Sequence, residues 1–345
     1  MDRLNKLYVE ITTSCNLNCH ICVRHAWREI IGTMPLKTFR TLIGQLRTLP
    51  HMPTIHLGGY GEPLMHPHFL EIVQVAKDAG ACVELTTNGM MLNSLIASAL
   101  VDLSLDRIVV SLDAATPDRY NEIRSGNFER VVENLRELQR IKQRRGSMDR
   151  PPQVALSFLL MRRNVADLSL LPHLAQQVGA SEVIVSHIVA YREEMRHEIL
   201  YERALSRPAA EALRANISLP RLGEDAHTFR LLQELLAASS VHLLNGGLKA
   251  PVERCPFAAQ GYAAVRWDGA VSPCLQLLHD HPQYIGDQRV EVTHRTLGNI
   301  NQQSIAEIWA SPSYVALRQQ LSRAPFEPCA GSSVCLWAQG FVLCP

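Results

Sequence analysis

The chain has 345 residues, 47% of them apolar, and a formal net charge of +1. That length and composition support one large domain plus a smaller one with a sizeable core, and exclude a disordered chain. Scattered Lys and Arg at near-zero net charge exclude an electrostatic footprint for nucleic acid, and no apolar run approaches the ~20 residues that span a membrane.

Residues 1–6 are polar and run straight into an apolar segment, with no secretory signal, so a cytoplasmic location is expected. Nine cysteines in such a chain point to metal ligation rather than disulfides. Three lie near the start, five after residue 250, and Cys82 stands alone.

The first strand-like run covers residues 7–12 and leads into Cys15-Asn16-Leu17-Asn18-Cys19-His20-Ile21-Cys22. Three thiolates this close together can converge on one metal centre, yet they leave a cubane iron–sulfur cluster one ligand short. An open position separates catalytic metal centres from closed structural ones. With His25 the same thiols also satisfy the spacing of a Cys3His zinc site, and that alternative stands beside the cluster.

Further strand-like runs at 54–58, 82–87, 107–112, 154–160 and 182–188 alternate with helical patterns at 36–49, 69–79, 93–101, 128–142 and 167–178. Gly80 and Gly179 sit where helix C-caps belong. The βα rhythm predicts an α/β fold: six parallel strands in a partial (β/α)6 barrel with right-handed crossovers, residues 1–190. The strand C-termini then share one face, where such barrels carry their chemistry.

On that face the second run ends in Gly58-Gly59-Tyr60-Gly61-Glu62-Pro63, whose glycines let backbone approach a ligand closely. The third ends in Thr86-Thr87-Asn88-Gly89 and the fourth in Ser111-Leu112-Asp113-Ala114. Asn88 and Asp113 can equally form turns or caps. Cys82, inside a strand run, reads as a small buried apolar residue, and His66 and His68 as a solvated loop.

Residues 191–250 break the rhythm and read as a helical bridge, with a charged helical start at Tyr191 and another helix over 229–238. Residues 251–345 form a small Cys-rich hairpin-plus-helix domain. Asp268-Gly269 between two strand-like runs predicts a β-hairpin, which brings Cys255 and Cys274 to its open end. Ser304 N-caps a short amphipathic helix, and Cys329, Cys335 and Cys344 finish the chain. Four of the five late cysteines can hold one 4Fe–4S cluster or a structural zinc.

Triad, glycine motif, Asn-Gly and Ser-Asp strand ends and cysteine-rich tail together resemble the radical SAM superfamily with a SPASM or twitch extension. The resemblance implies a 4Fe–4S cluster on Cys15, Cys19 and Cys22 that cleaves S-adenosylmethionine to a hydrogen-abstracting 5′-deoxyadenosyl radical. It implies cofactor binding by Ile21, Gly59, Gly61, Glu62, Asn88, Ser111 and Asp113, and one auxiliary 4Fe–4S cluster drawn from Cys255, Cys274, Cys329, Cys335 and Cys344. Ala114 and the missing thiol between Cys329 and Cys335 depart from the family pattern.

Residues 6–13, Val23-Arg24, the run Tyr191 to Tyr201 and the 266–275 hairpin look closest to maturases of tungsten-cofactor aldehyde oxidoreductases. A ferredoxin- or flavodoxin-type electron donor and a target oxidoreductase or peptide are the implied partners. A peptide-modifying SPASM maturase and a non-catalytic zinc-stabilised binding protein remain as alternatives.

Overall fold

The computed structural model describes residues 3–27, 29–146, 149–202, 221–222, 230–231, 242–244, 255–285 and 288–322. Six strands, β1 (Lys6–Val9), β2 (Thr54–Leu57), β3 (Val83–Thr87), β4 (Arg107–Ser111), β5 (Gln153–Leu160) and β6 (Glu182–His187), pair in sequence order, every pair parallel. Each crossover carries helix: α1 (Leu36–Leu46), α2 (Phe69–Asp78), α3 (Ser94–Asp102), α4 (Pro117–Arg124) with α5 (Phe128–Arg144), and α6 (Leu171–Val178). Their apolar stripes cover one face of the sheet in a single core that includes Leu7, Ile55, Val83, Leu135 and Leu156, all fully buried. The partial (β/α)6 barrel expected from the alternation is the observed architecture.

The start and stop signals act as the local chemistry predicts. Asn93 and Asn127 accept from the amides of Ile96 (3.1 Å) and Arg130 (2.7 Å), capping α3 and α5. Gly80 and Gly179 take φ of +78° and +65° at helix ends.

The differences have local causes. Residues 162–170 form a 3₁₀ segment, and α6 starts only at Leu171, because Pro172 lacks an amide hydrogen and is accommodated in a first turn. Helix α4 escaped the periodicity reading, since its sequence PDRYNEIR offers only Tyr120 and Ile123 as apolar buried residues. The charged stretch after Tyr191 yields a short 3₁₀ helix, Glu193–Glu198, and the expected helix at 229–238 lies almost wholly outside the described residues. Cys82 precedes β3 on the rim and is exposed, while His66 is buried, its Nε2 bonded to the Met34 carbonyl at 2.8 Å.

The C-terminal hairpin forms as expected. Strands Tyr262–Val265 and Ala270–Ser272 pair antiparallel, with Gly269 at φ +89° in the turn. It does not stand apart from the barrel. Strand Tyr262–Val265 lies parallel to β1, in register from Lys6↔Tyr262 to Val9↔Val265, so β1 is interior to the sheet. Gly298–Asn299 extends this side beyond Ala270–Ser272, and His242–Leu244 adds a parallel strand to β6 at the other edge. Ser304 caps helix Ile305–Ala310 in a reciprocal box with Glu307. No described helix is long and apolar enough to cross a membrane.

Candidate active site

A cavity of about 230 Å³ opens at the C-terminal ends of the six strands. It is lined by Cys15, Cys19, Ile21 and Cys22 after β1, by Gly59, Gly61 and Glu62 after β2, and by Asn88 and Ser111 at the ends of β3 and β4. Leu159, Ile188, Val189 and Tyr191, from the ends of β5 and β6, complete the lining with Leu275 and Gln276 from the C-terminal region. Parallel strands deliver successive loops to the same side, which is why residues 15 and 189 meet.

The three thiols share this cavity, and other potential ligands that line it are engaged. His56 sits fully buried between Glu84 and Thr86, each at 2.9 Å, and burial brings its imidazole down to about 4, so it is neutral. Glu62 is 1% exposed and accepts three hydrogen bonds: from the Thr87 hydroxyl and Asn88 amide, both at 2.7 Å, and from the Leu64 amide at 3.1 Å. Its carboxylate therefore pins the glycine turn to the end of β3, although burial raises its pKa. His25 is exposed, and its Nε2 lies 3.0 Å from the Cys19 carbonyl, outside the cavity lining. Three thiols with no engaged fourth protein ligand fit a group that keeps one position open.

Burial pushes the Cys19 thiol up to about 11, opposed by the Arg124 guanidinium, and burial raises Cys22 as well. Arg124, which the sequence reading did not single out, lines the cavity at 9% exposure. It is held by Asp113, whose Oδ2 lies 2.5 Å away and whose Oδ1 accepts the Leu159 amide at 2.8 Å. Asp113 is completely buried with φ +59° and is not among the cavity's lining residues, so its carboxylate acts on the site through Arg124. No sequence signal marks Arg124: it lies eleven residues after Asp113, at the end of a polar, proline-started helix.

The glycines serve the protein's own packing. A Cβ on Gly61 would lie 2.2 Å from the Thr12 carbonyl oxygen and 2.7 Å from Thr13 Cα, because the turn after β2 presses on the chain just before Cys15. The Glu62 amide donates to the Ser14 carbonyl at 2.7 Å across the same contact. Asn88 Nδ2 binds Asn16 Oδ1 at 2.8 Å and lies 3.8 Å from Cys15 Sγ, tying β3 to the cysteine loop. Ile21 lines the cavity and packs in a cluster with Ile123, Met161 and Ile188.

Cys255 and Cys274 both lie near the Tyr314 hydroxyl. Burial drives that phenol far above its usual value, Arg318 opposes the shift and the two thiols add to it. Cys329, Cys335 and Cys344 lie outside the described residues.

Residues 9–152 match the Radical SAM superfamily, and residues 255–335 match SPASM, an iron–sulfur cluster-binding domain. The chain belongs to the radical SAM superfamily. It is therefore an enzyme that works with a 4Fe–4S cluster and S-adenosylmethionine, and its SPASM region binds auxiliary iron–sulfur. Along its length it is similar to the tungsten-containing aldehyde ferredoxin oxidoreductase cofactor-modifying protein of Pyrococcus furiosus, at 24% identity over 98% of this chain and 96% of that one.

The mycofactocin maturase of Mycobacterium tuberculosis is 29% identical over 50% of this radical SAM chain and 42% of its own. Among solved structures, Streptococcus suis SuiB bound to S-adenosylmethionine superposes with a TM-score of 0.63 at 14% identity, covering 91% of this chain and 68% of that one. Native anSMEcpe with bound AdoMet gives 0.60 at 14% identity, over 90% and 82%. These two report the shared fold.

Proposed function

We propose that this radical SAM enzyme matures a tungsten-cofactor aldehyde oxidoreductase, acting on that protein or on its tungstopterin. The observation that carries the reading is the end-to-end similarity to the Pyrococcus furiosus cofactor-modifying protein, which takes in the hairpin and C-terminal region as well as the barrel. The mycofactocin maturase matches only half of the chain and supports the shared chemistry alone.

In this reading Cys15, Cys19 and Cys22 hold the cluster. Ile21, Gly59, Gly61, Glu62, Asn88 and Ser111 serve S-adenosylmethionine, and Asp113 serves it through Arg124. When bound, the pair supplies reductive carbon–sulfur cleavage and hence one-electron hydrogen abstraction. The chain's residues provide the setting. The Arg124 charge beside Cys19 offsets part of the burial that disfavours a thiolate. Glu62 and Asn88 hold the loops after β1, β2 and β3 in one arrangement. Leu159, Ile188 and Val189 add apolar lining to the cavity, which excludes water from a reactive centre. Cys255 and Cys274, with partners among Cys329, Cys335 and Cys344, hold one auxiliary 4Fe–4S cluster. A ferredoxin- or flavodoxin-type donor supplies the electron, and the enzyme works in the cytoplasm.

The test is anaerobic reconstitution with iron and sulfide counts, then a 5′-deoxyadenosine assay with dithionite, S-adenosylmethionine and an unmatured tungsten oxidoreductase. About eight iron per chain corresponds to two cubane clusters. That count is expected, with product formation stimulated by the oxidoreductase and abolished by replacing Cys15, Cys19 and Cys22 together with Ala. Stimulation by a short leader-bearing peptide instead would assign the enzyme to peptide modification. A colourless zinc protein that forms no 5′-deoxyadenosine would sink the reading altogether.

A further inference from the structure

The segment after Cys274 carries a buried charged cluster with no part in the reading above. His279 is fully buried, and each ring nitrogen meets a carboxylate. Nε2 lies 2.7 Å from Glu10 Oε1, and Nδ1 pairs with Glu29 Oε2. A neutral imidazole has one N–H and can donate to only one of them, leaving the other carboxylate against a lone pair. Carboxylates on both nitrogens call for the imidazolium. Glu10 itself is 0% exposed and makes no other ion pair among the described residues.

Glu10 is also the abutment of the glycine turn. Its Oε2 accepts the Tyr60 amide at 3.1 Å, and its Cγ lies where a Cβ on Gly59 would come within 2.7 Å, at a Gly59 φ of +152°. Tyr60 then donates its hydroxyl to the Leu275 carbonyl at 3.3 Å. The Trp27 ring packs on both His279 (4.5 Å between centroids) and Tyr60 (5.5 Å). Three separate pieces of the site meet here: the loop that carries the thiols, the turn after β2, and the C-terminal segment that supplies Leu275 and Gln276 to the cavity lining.

We propose that His279 is a positioning residue for the turn that binds S-adenosylmethionine: as an imidazolium bridging Glu10 and Glu29, it couples that turn to the C-terminal segment that lines the same cavity. The inference rests on the reading of that turn given above. Loss of the charge leaves Glu10 buried without a counter-ion, so the carboxylate must protonate or move, and the turn moves with it. The other groups facing the cluster are accounted for. Arg266 lies 3.9 Å from Glu29 and is held by Asp268, and Asp280 binds His294. Burial brings His281 down to about 4 and raises the Tyr60 phenol, so both are neutral. Burial opposes the His279 charge, but the two carboxylates win and raise its pKa above the ordinary value. A raised folded-state pKa makes the contribution fully present below about 6.5 and lost as pH rises through the folded value.

The experiment measures S-adenosylmethionine affinity of the reconstituted full chain at rising pH, starting from about 6.5, the ordinary histidine value. Wild type is compared with His279→Gln, Glu29→Gln and the triple Cys15/Cys19/Cys22→Ala protein. Melting temperatures and the Trp27 fluorescence of cluster-free protein are recorded in parallel, with Trp27→Phe as the blank. Wild type is expected to lose affinity at the alkaline end. His279→Gln should bind roughly tenfold more weakly with a flat pH profile, a factor equivalent to about one displaced hydrogen bond. Glu29→Gln keeps the shape but removes one carboxylate, so its affinity loss should shift to lower pH, together with the rise in Trp27 fluorescence that follows when the imidazolium packed on that ring loses its quenching charge. Wild-type affinity and pH profile in His279→Gln and Glu29→Gln, with binding lost in the triple variant, would overturn the inference alone. Undiminished binding in the triple variant would overturn the cofactor reading and the inference together.

Discussion

Arg124 is the residue on which the electrostatics of the cavity depend. Its guanidinium faces Asp113 on one side and Cys19 on the other, and only 9% of its surface is exposed. Replacing one partner of a buried pair leaves an uncompensated charge, which costs about 3–5 kcal/mol. Arg124→Met is therefore expected to destabilise the fold by that amount in denaturant unfolding, through the orphaned Asp113 carboxylate. Asp113→Asn/Arg124→Met together should recover much of the loss, because no buried anion remains. Residue type made the three thiols legible, since few chemistries use cysteines at such spacing. Arg124 was not, because an arginine in a polar helix gives no local sign that its head is buried. Asp113 was marked by its short side chain as a ligand or a turn residue; it sits at φ +59°, and its carboxylate meets Arg124 and the Leu159 amide, a pairing that no local pattern announces.

At the scale of elements, the strands and most helices could be read because both periods and caps are written locally. Buried parallel strands leave continuous apolar runs, amphipathic helices repeat every three to four residues, and Asn93, Asn127 and Gly179 mark ends by their own hydrogen bonds and φ. The turn after β2 is different. Its glycines are visible in sequence, but what they accommodate is the Thr12–Thr13 backbone, nearly fifty residues earlier in the chain. Gly61→Ala forces a Cβ to within 2.2 Å of a main-chain carbonyl that no side-chain rotation can relieve. The expected outcome is displacement of the turn from the cysteine loop and a fall of 5′-deoxyadenosine formation by about a hundredfold or more, the scale on which ångström misplacement acts. Circular dichroism should remain near wild type, since the strands and helices lie outside the contact. An active Gly61→Ala enzyme would refute this account of the turn.

For the whole molecule, the decisive contact is strand Tyr262–Val265 against β1. It makes β1 interior, covers Leu7 and Val9, both fully buried, and sets His279 against Glu10 across 269 residues of chain. A chain stopped at residue 254 would leave β1 as an exposed apolar edge and Glu10 without its cation. Such a truncation is expected to aggregate on expression rather than fold as a free-standing barrel, as checked by size-exclusion chromatography against the full chain. A monomeric, cooperatively melting truncation would contradict it. The sequence by itself determined the alternation of strands and helices, the three-thiol loop, the glycine turn and the Asp-Gly hairpin. All of these rest on spacing, chain stereochemistry and side-chain type within a few residues of one another. Only the tertiary structure decided that the hairpin joins the barrel's sheet, that Arg124 faces the thiols, and that His279 clamps the turn. Those contacts join residues distant along the chain, and their energies come from burial and charge pairing that no local pattern records.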